Sequence, residues 1–490
     1  MKPSDLAALE GAGLCWSRAE LDAAAARLAV TLQSRGTRVL ATLMDNGPAW
    51  VVADLATRNA GVVHVPLPAF FTPQQVGHAL EAAGVDTLLA DPALAVPWPQ
   101  ARQQACEVAG RALVLVELPR RAVPMPASTS KITFTSGTTG TPKGVCLDDA
   151  AMQRAAAGLV RALEPLDIRR HLCVLPLAVL LENLAGVLAP LARGATVIVP
   201  PLAQVGLTGS SGFDPALFHA ALLRHAPHSV ILLPQMLRAW TAWLQYGDAR
   251  APASLKLVAV GGAAVGARVI EAARARGIPA YEGYGLSEGA SVQTLNLPGA
   301  DRPGSAGRPL PHAQVRIAAD GEIEVAGTLL AGYLGATGTA PPAWWPTGDL
   351  GRIDGEGFVH VEGRKRNVLI TGFGRNVSPE WVEAALRGEQ MLLQAVVFGE
   401  GQPALSAVVW PLAVTLPDAE IDAAVQAVNA TLPDYARVAR WVRARAAFSP
   451  QSGLATANGR PQRDAIFSLH AELLGIPPVP SPKGSHALLF

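Results

Sequence analysis

The chain has 490 residues, a formal net charge of +1 and four cysteines. That length exceeds what one hydrophobic core holds and implies at least two domains. The balanced charge excludes the basic footprint of a nucleic-acid binder, and no run of about 18 uninterrupted apolar residues offers a transmembrane helix. Half of the residues are hydrophobic but only 5% are aromatic. Alanine and leucine supply much of the apolar content, which suits helices packed on sheets. Cys15, Cys106, Cys146 and Cys173 form no C-x-x-C pair, so they read as separate reduced thiols with no case for a metal site. The opening MKPSDLAALEGAG lacks a basic region followed by a long apolar run. No signal peptide is therefore expected, and the expected location is cytoplasmic, with peripheral membrane association left open.

Trp16 to Arg35 reads as a helix: Ser17 can cap it, Leu21, Ala24, Ala25, Leu28 and Leu32 recur at helical spacing, and Gly36 ends it. Val39 to Met44 is a buried-strand candidate, Ala49 to Ala60 a second helix, and Val62 to Pro68 another strand. Thr72 to Ala83 is helical and Thr87 to Ala90 a strand. This alternation predicts a parallel sheet covered by helices. His64 lies in an apolar strand and reads as a packed structural histidine.

Lys131 to Leu147, KITFTSGTTGTPKGVCL, carries the strongest chemical signal. Ile132 to Thr135 alternates β-branched and aromatic residues and reads as a strand. Then come Ser136, Gly137, Thr138, Thr139, Gly140, Thr141, Pro142, Lys143 and Gly144. Three glycines permit unusual backbone geometry, the hydroxyls can donate hydrogen bonds, and Lys143 adds a positive charge. Such a loop suits a polyphosphate. It is not a Walker A loop, because Pro142 stands where that pattern needs the glycine before its lysine. A glycine-rich hairpin turn is the plain alternative, though a structural turn rarely gathers so many donors.

TSGTTGTPKG resembles the phosphate loop of the adenylate-forming superfamily, which comprises acyl-CoA synthetases, carrier-loading adenylation domains and luciferases. The resemblance runs from about Trp16 to Ile466. It implies an α/β fold: a large N-terminal domain of helix-covered sheets with a β-rich subdomain, plus a small mobile α+β C-terminal domain. The implied boundaries are 1–362 for the AMP-binding domain, 363–367 for a hinge at GRKRN, 368–476 for the C-terminal lid and 477–490 for a proline-rich flexible tail.

Further motifs follow in the family's order. A helix is expected from about Asp148 to Leu163. LPLAVLLENLAG looks like a segment that borders the acid pocket of long-chain acyl-CoA synthetases; Val179 replaces its histidine and Asn183 its arginine, a loss of polarity that suits an apolar acid. A plain core helix is the alternative for this segment. LKLVAVGGAA, with Gly262 and Ala263, resembles a turn whose backbone approaches the nucleotide. EGYGLSE, with Glu282, Gly283, Tyr284, Ser287 and Glu288, resembles the family's YGxTE motif. Tyr284 would present a flat face to adenine, and Glu288 hard oxygens to Mg²⁺. TGDL resembles the motif whose aspartate, here Asp349, accepts both ribose hydroxyls; a turn-forming aspartate is the alternative.

Past the hinge, Arg364 would hold the ribose region and Arg366 would sit at the pivot. Ser378-Pro379-Glu380 is a helix start with Ser378 as N-cap. Ala395–Phe398 and Leu405–Trp410 read as strands, with helices from about Asp418 and Gln462. GLATANGRPQR resembles the family's C-terminal catalytic motif, with Arg460 in place of its lysine. Arginine keeps the charge but is a wider, planar fork. The resemblance implies an acid:CoA ligase closest to the long-chain fatty acyl branch, using ATP, Mg²⁺ and CoA. Thr135 to Lys143 would bind the β- and γ-phosphates, Glu288 the metal, Tyr284 adenine, Asp349 and Arg364 ribose, and Arg460 the α-phosphate. Transfer to an acyl carrier protein, and a non-catalytic acyl-nucleotide binder, are the alternatives.

Overall fold

The alternation of helix and strand builds two large sheets within the first of two compact units, Met1–Glu362 and Gly363–Phe490. The computed structural model describes residues 7–94, 98, 101–135, 143–209, 212–263, 265–336, 340–371, 375–456 and 459–475; of Thr135 and Asn376 it describes the backbone. Among the described residues no helix is long and apolar enough to cross a membrane.

The first sheet has eight strands. Its parallel centre is Lys131–Thr135, Val63–Leu67, Val39–Leu43 and Thr87–Ala90. Lys143–Leu147 pairs antiparallel beside Lys131–Thr135 and is followed outward by Gly332–Tyr333. The second sheet has nine strands, six of them parallel in the order Ala280–Leu286, Leu257–Val260, Ser229–Leu232, Arg170–Leu172, Thr196–Ile198 and Leu9–Gly11. Helix Arg18–Ser34 begins in a capping box between Ser17 and Glu20. Helix Pro48–Ala60 is buried almost all round, as a helix between two sheets must be. The core about its Trp50 draws Leu40 and Leu89 from the eight-stranded sheet and Leu9 and Val197 from the nine-stranded one.

A polar cluster interrupts this apolar layer. Asp54 on the central helix and Lys131 at the start of its strand form an ion pair at 2.7 Å, with 1% and 2% of their side chains exposed. His64 donates from Nδ1 to Asp54 Oδ1 at 2.7 Å and accepts the Thr42 hydroxyl at Nε2, 2.9 Å away. Asn183 donates to Asp54 Oδ2 at 2.9 Å and accepts from Lys131 through its side-chain oxygen. Burial pushes the Asp54 carboxyl upward, but Lys131 and His64 outweigh it and hold the group well below the usual carboxylate range. Burial lowers His64, so its ring is neutral. The structural role expected for His64 is what the structure shows.

Asn183 also corrects the polarity argument. LPLAVLLENLAG is not one core helix. It follows strand Arg170–Leu172, turns, and enters a π-helix at Glu182–Leu188 that continues as helix Ala189–Arg193. Asn183 does not mark lost polarity: it is buried and completes the Asp54–Lys131 cluster.

In the second unit, antiparallel strands Leu392–Phe398 and Leu405–Pro411 are extended by a parallel strand, Val438–Arg443. Helices Pro379–Arg387 and Asp418–Asn429 cover one core, and Arg463–Leu474 packs on another. Ser378 stands at the expected N-cap position but makes no capping bond; its Oγ donates to Glu380 Oε2 at 3.1 Å. The proline-rich tail lies outside the described residues.

A buried charge stripped of its partner costs about 3–5 kcal/mol. Asp54→Ala should therefore lower unfolding free energy by that order in urea melts. A loss under about 1 kcal/mol would show that the Lys131 charge finds relief elsewhere.

Candidate active site

The site lies along the C-terminal ends of the parallel strands in the nine-stranded sheet, where open α/β sheets place ligands. Tyr284, in strand Ala280–Leu286, donates its hydroxyl to Asp349 Oδ2 at 2.7 Å. Two motifs separated by some 65 positions thus meet. Asp349 is buried and rigidly held. The Gly348 N–H donates to Glu322 Oε1 at 2.7 Å, and Thr347 Oγ1 donates to the Ile323 carbonyl at 2.7 Å while accepting the Asp349 N–H at 3.1 Å. Gly348 has φ 74°, a left-handed conformation that favours glycine.

Glu282 lies on the same strand. Its Oε1 accepts the Val265 N–H at 3.0 Å, and its Oε2 is buried with no partner. Burial pushes its carboxyl up to about 7, against the lowering pull of the Val265 and Gly266 N–H groups. Gly283 has no room for a side chain: a Cβ there would stand 2.9 Å from Leu295 Cδ1 and from the Thr294 carbonyl oxygen. Gly262 and Ala263 form an exposed turn at the end of the neighbouring strand.

Ser287 and Glu288 follow in a 3₁₀ turn, Ser287–Gly289. Ala290 and Ser291 come next, at φ 56° and 87°. Two consecutive left-handed residues with side chains store strain of roughly 1–3 kcal/mol each, a device common at functional sites. Glu288 Oε1 accepts the Tyr333 hydroxyl at 2.8 Å, and Lys143 Nζ stands 5.9 Å from the Tyr333 ring centroid. Burial and the Glu288 carboxylate push the Tyr333 phenol up, so it stays a donor. Tyr333 was not visible as a site residue in the sequence. Its place follows from strand Gly332–Tyr333 pairing with Lys143–Leu147, a contact between segments far apart in the chain.

Thr135 and Lys143 pair across the hairpin that carries the predicted phosphate loop. Ser136, Gly137, Thr138, Thr139 and Gly140 lie outside the described residues. Arg364 and Arg460 belong to the second unit. There Arg460 is exposed on a tight turn, its N–H donating to Thr456 Oγ1 at 3.2 Å and its carbonyl accepting the Thr456 N–H at 2.8 Å. The first unit brings together Lys143, Glu288 and Tyr333, and separately Glu282, Tyr284 and Asp349.

An apolar cavity of about 60 Å³ lies between the nine-stranded sheet and its covering helices. Ala259, Leu257, Ile231, Val292 and Leu295 line its sheet side; Leu159, Val160, Leu163, Leu181 and Ala185 line its helix side. Leu295 pairs with Gly283, so the cavity adjoins the strand that carries Glu282 and Tyr284. Within LPLAVLLENLAG the lining residues are Leu181 and Ala185, whereas Val179 and Asn183 are not among them. The loss of polarity at those two positions therefore says nothing about the cavity.

Polar groups gathered at the edge of a parallel sheet, beside an apolar cavity, are the setting in which α/β enzymes bind their ligands. The chain belongs to the AMP-binding enzyme family, which it matches over residues 1–336, with the AMP-binding enzyme C-terminal domain matched over 366–474. It is 29% identical to the long-chain-fatty-acid–CoA ligase FadD15 of Mycobacterium bovis over 437 residues, 74% of this chain and 70% of that protein. It is 29% identical to a feruloyl-CoA synthase of Amycolatopsis over 434 residues, 82% and 84% of the two chains. The fold is that of o-succinylbenzoate CoA synthetase from Bacillus subtilis, solved with its acyl-adenylate, at a TM-score of 0.76, 24% identity and 95% coverage of both chains. Adenylate-forming CoA ligases of this family use ATP, Mg²⁺ and CoA.

The residues present fit these groups. The orphaned Glu282 Oε2 would accept an N–H donor such as an adenine amino group carries, and Tyr284, two residues along the same strand, is bonded to Asp349. Glu288 would hold Mg²⁺, whose charge would offset that of the phosphates.

Glu282 makes the site sensitive to pH. Its folded value, about 7, lies above its ordinary value of 4.5. The neutral form favours the fold, so this contribution is fully present below about pH 4.5 and lost as pH rises through about 7. A donor from the nucleotide instead favours the ionised form. AMP affinity, measured by calorimetry, should therefore rise between pH 6 and 8 more steeply in the wild type than in Glu282→Gln, where this titration is gone. Parallel pH profiles for the two proteins would count against the assignment.

Proposed function

We propose that this protein activates an apolar carboxylic acid with ATP and transfers the acyl group to CoA. The acid's carboxylate attacks the α-phosphorus and pyrophosphate leaves; the CoA thiolate then attacks the acyl carbonyl and AMP leaves. The protein needs no covalent nucleophile, because its task is to position the reactants and offset charge. The carrying observation is the joint placement of Tyr284–Asp349, Lys143–Tyr333–Glu288 and the apolar cavity beside Gly283. The names of the relatives, all CoA ligases or synthases among those cited, favour CoA over a carrier protein as acceptor.

The acid is proposed to be a medium- or long-chain fatty acid or one of similar apolar character. A cavity of about 60 Å³ is under half the size of an engineered cavity of ~150 Å³ that takes benzene. Leu163 or Leu181 must therefore shift to admit a longer chain, which favours the medium-length end. An aryl acid is the second reading, favoured by the same small cavity and by the likeness to feruloyl-CoA synthase. Gly363 to Asn367 is proposed as a hinge between the large domain and a lid of 368–476. At Gly363, with φ 152°, a Cβ would collide with Ser378 Oγ, so glycine is required there.

Pyrophosphate exchange across a series of acids tests the substrate. Each buried methylene adds about 0.8 kcal/mol of binding, so kcat/KM should climb with chain length and then level off. A marked preference for acetate or an amino acid would overturn this choice.

Arg460 is assigned to the α-phosphate. Removing one such donor costs ~10²–10³ in rate. Arg460→Ala should lose adenylation to that degree while still forming thioester from supplied acyl-AMP. Equal loss of both half-reactions would remove Arg460 from this role.

A further inference from the structure

The apolar cavity has one polar corner. His171 and Ser229 are among its lining residues, both buried, and they face each other in register on neighbouring parallel strands. Behind His171 stands Glu182, the first residue of the π-helix, with no exposed side-chain surface. Glu182 Oε2 accepts the Leu175 N–H at 3.2 Å, and Oε1 lies 3.2 Å from His171 Nε2. With Glu182 Oε1 as the acceptor of this contact, the ring proton is assigned to Nε2. Nδ1 then presents a lone pair, and the Ser229 hydroxyl, 2.9 Å away, donates to it. With its proton committed, Ser229 Oγ turns only lone pairs toward the cavity. The relay depends on Gly186, where a Cβ would press against Glu182 Oε1 and stand 2.9 Å from His171 Nε2.

The remaining lining is carbon except for Arg193. Its guanidinium is already engaged by the carbonyls of Leu163, Glu164 and Leu166. Ser229 is thus the one side-chain acceptor with spare capacity among the described lining residues. His171, Cys173 and Glu182 also lie close enough together to hold a cation. Both ring nitrogens and both carboxylate oxygens are already bonded, however, so the cluster is a closed relay and not an open ligand set.

The corner's depth gives it meaning. Ser229 and Leu257 begin their strands, whereas the nucleotide edge lies at the strands' other ends. Three residues of strand separate Leu257 from Val260, about 10 Å. A carboxylate at the nucleotide edge would place the far end of its tail near Ser229.

We propose that the acid activated by this protein carries a hydrogen-bond donor, a hydroxyl or N–H, at the far end of an otherwise apolar tail, and that Ser229, oriented by His171 and Glu182, receives it. This rests on the acid occupying the cavity, as argued under the proposed function. A buried acceptor left without a donor penalises a tail that lacks one.

The test uses two matched pairs of acids in pyrophosphate exchange with the full-length protein. They are 3-(4-hydroxyphenyl)propanoate against 3-(4-methylphenyl)propanoate, and 8-hydroxyoctanoate against nonanoate. The wild type should favour the hydroxyl member of at least one pair by roughly tenfold in kcat/KM. Ser229→Ala should bring that ratio to about one, and Ser229→Thr, which keeps the hydroxyl, should retain most of it. His171→Phe, removing the group that orients Ser229, should also reduce the ratio. Equal activity on both members, a preference for the methyl members or for a dicarboxylate, or an unchanged ratio in a folded Ser229→Ala protein would overturn the inference. Exchange with other acids but none of the hydroxyl acids would do the same. No exchange with any acid would overturn the ligase reading itself, a result distinct from the failure of the Ser229 corner alone.

Discussion

The buried pair of Asp54 and Lys131 is the interaction on which the large unit depends. Two opposite charges 2.7 Å apart sit between the sheets with almost no access to water. Desolvating both is expensive, and only a full set of partners offsets the cost. His64 and Asn183 provide it on Asp54, and Asn183 also accepts a hydrogen bond from Lys131. The consequence is geometric. Lys131 opens the strand that ends at the loop of threonines and glycines, while Asn183 sits in the π-helix whose neighbours Leu181 and Ala185 line the apolar cavity. One ion pair thus ties strand Lys131–Thr135 to the wall of the cavity. Such a pair gives specificity of arrangement more readily than net stability, since a misregistered strand would bury a bare lysine.

The nucleotide edge uses a different principle. Its polar groups are held by bonds to neighbouring segments: Thr347–Asp349, inside strand Trp345–Ile353 and not in a turn, is fastened to strand Glu322–Ala326, and Glu282 to the segment before helix Ala267–Ala275. Rigid holding keeps Asp349 and Tyr284 ready for a ligand without reorganisation. Glu282 is the exception, half satisfied and pushed up to about 7. Its Oε2, an acceptor on the strand that carries Tyr284, is one that a ligand's donor would complete. Strain at Ala290 and Ser291, directly after Glu288, belongs to the same pattern.

Polarity inside the apolar cavity is arranged with similar economy. The Glu182–His171–Ser229 relay consumes every donor and leaves one acceptor facing inward. Its three members come from a π-helix and two strands, so no short stretch of sequence contains it. The π-helix itself widens the backbone enough to bring Glu182 and Gly186 against His171, in keeping with the frequent placement of such turns at functional sites.

The sequence by itself determined many of the helices and strands of the large unit, the order of its motifs and the nucleotide chemistry. Those signals are local: helical spacing at Leu21 to Leu32, the capping residue Ser17, the hydroxyl-rich stretch beside Lys143, and the carboxylates of Glu288 and Asp349 in short motifs. It also placed His64 correctly as a packed residue, because a histidine in an apolar strand has few other fates. Only the tertiary structure decided which side chains meet. Tyr333 reaches Glu288 through a strand pairing, Lys131 finds Asp54 across a helix, and Asn183, legible in the sequence as a lost cation, proves to be a partner for a lysine some 52 positions away. Ser378 kept its place but not its capping bond; its hydroxyl donates to Glu380 instead. The physical reason is the same in each case. Local pattern reports backbone preference and side-chain type, whereas buried polar groups are satisfied by whatever the packed sheets bring within about 3 Å, and that is settled only when the chain has folded.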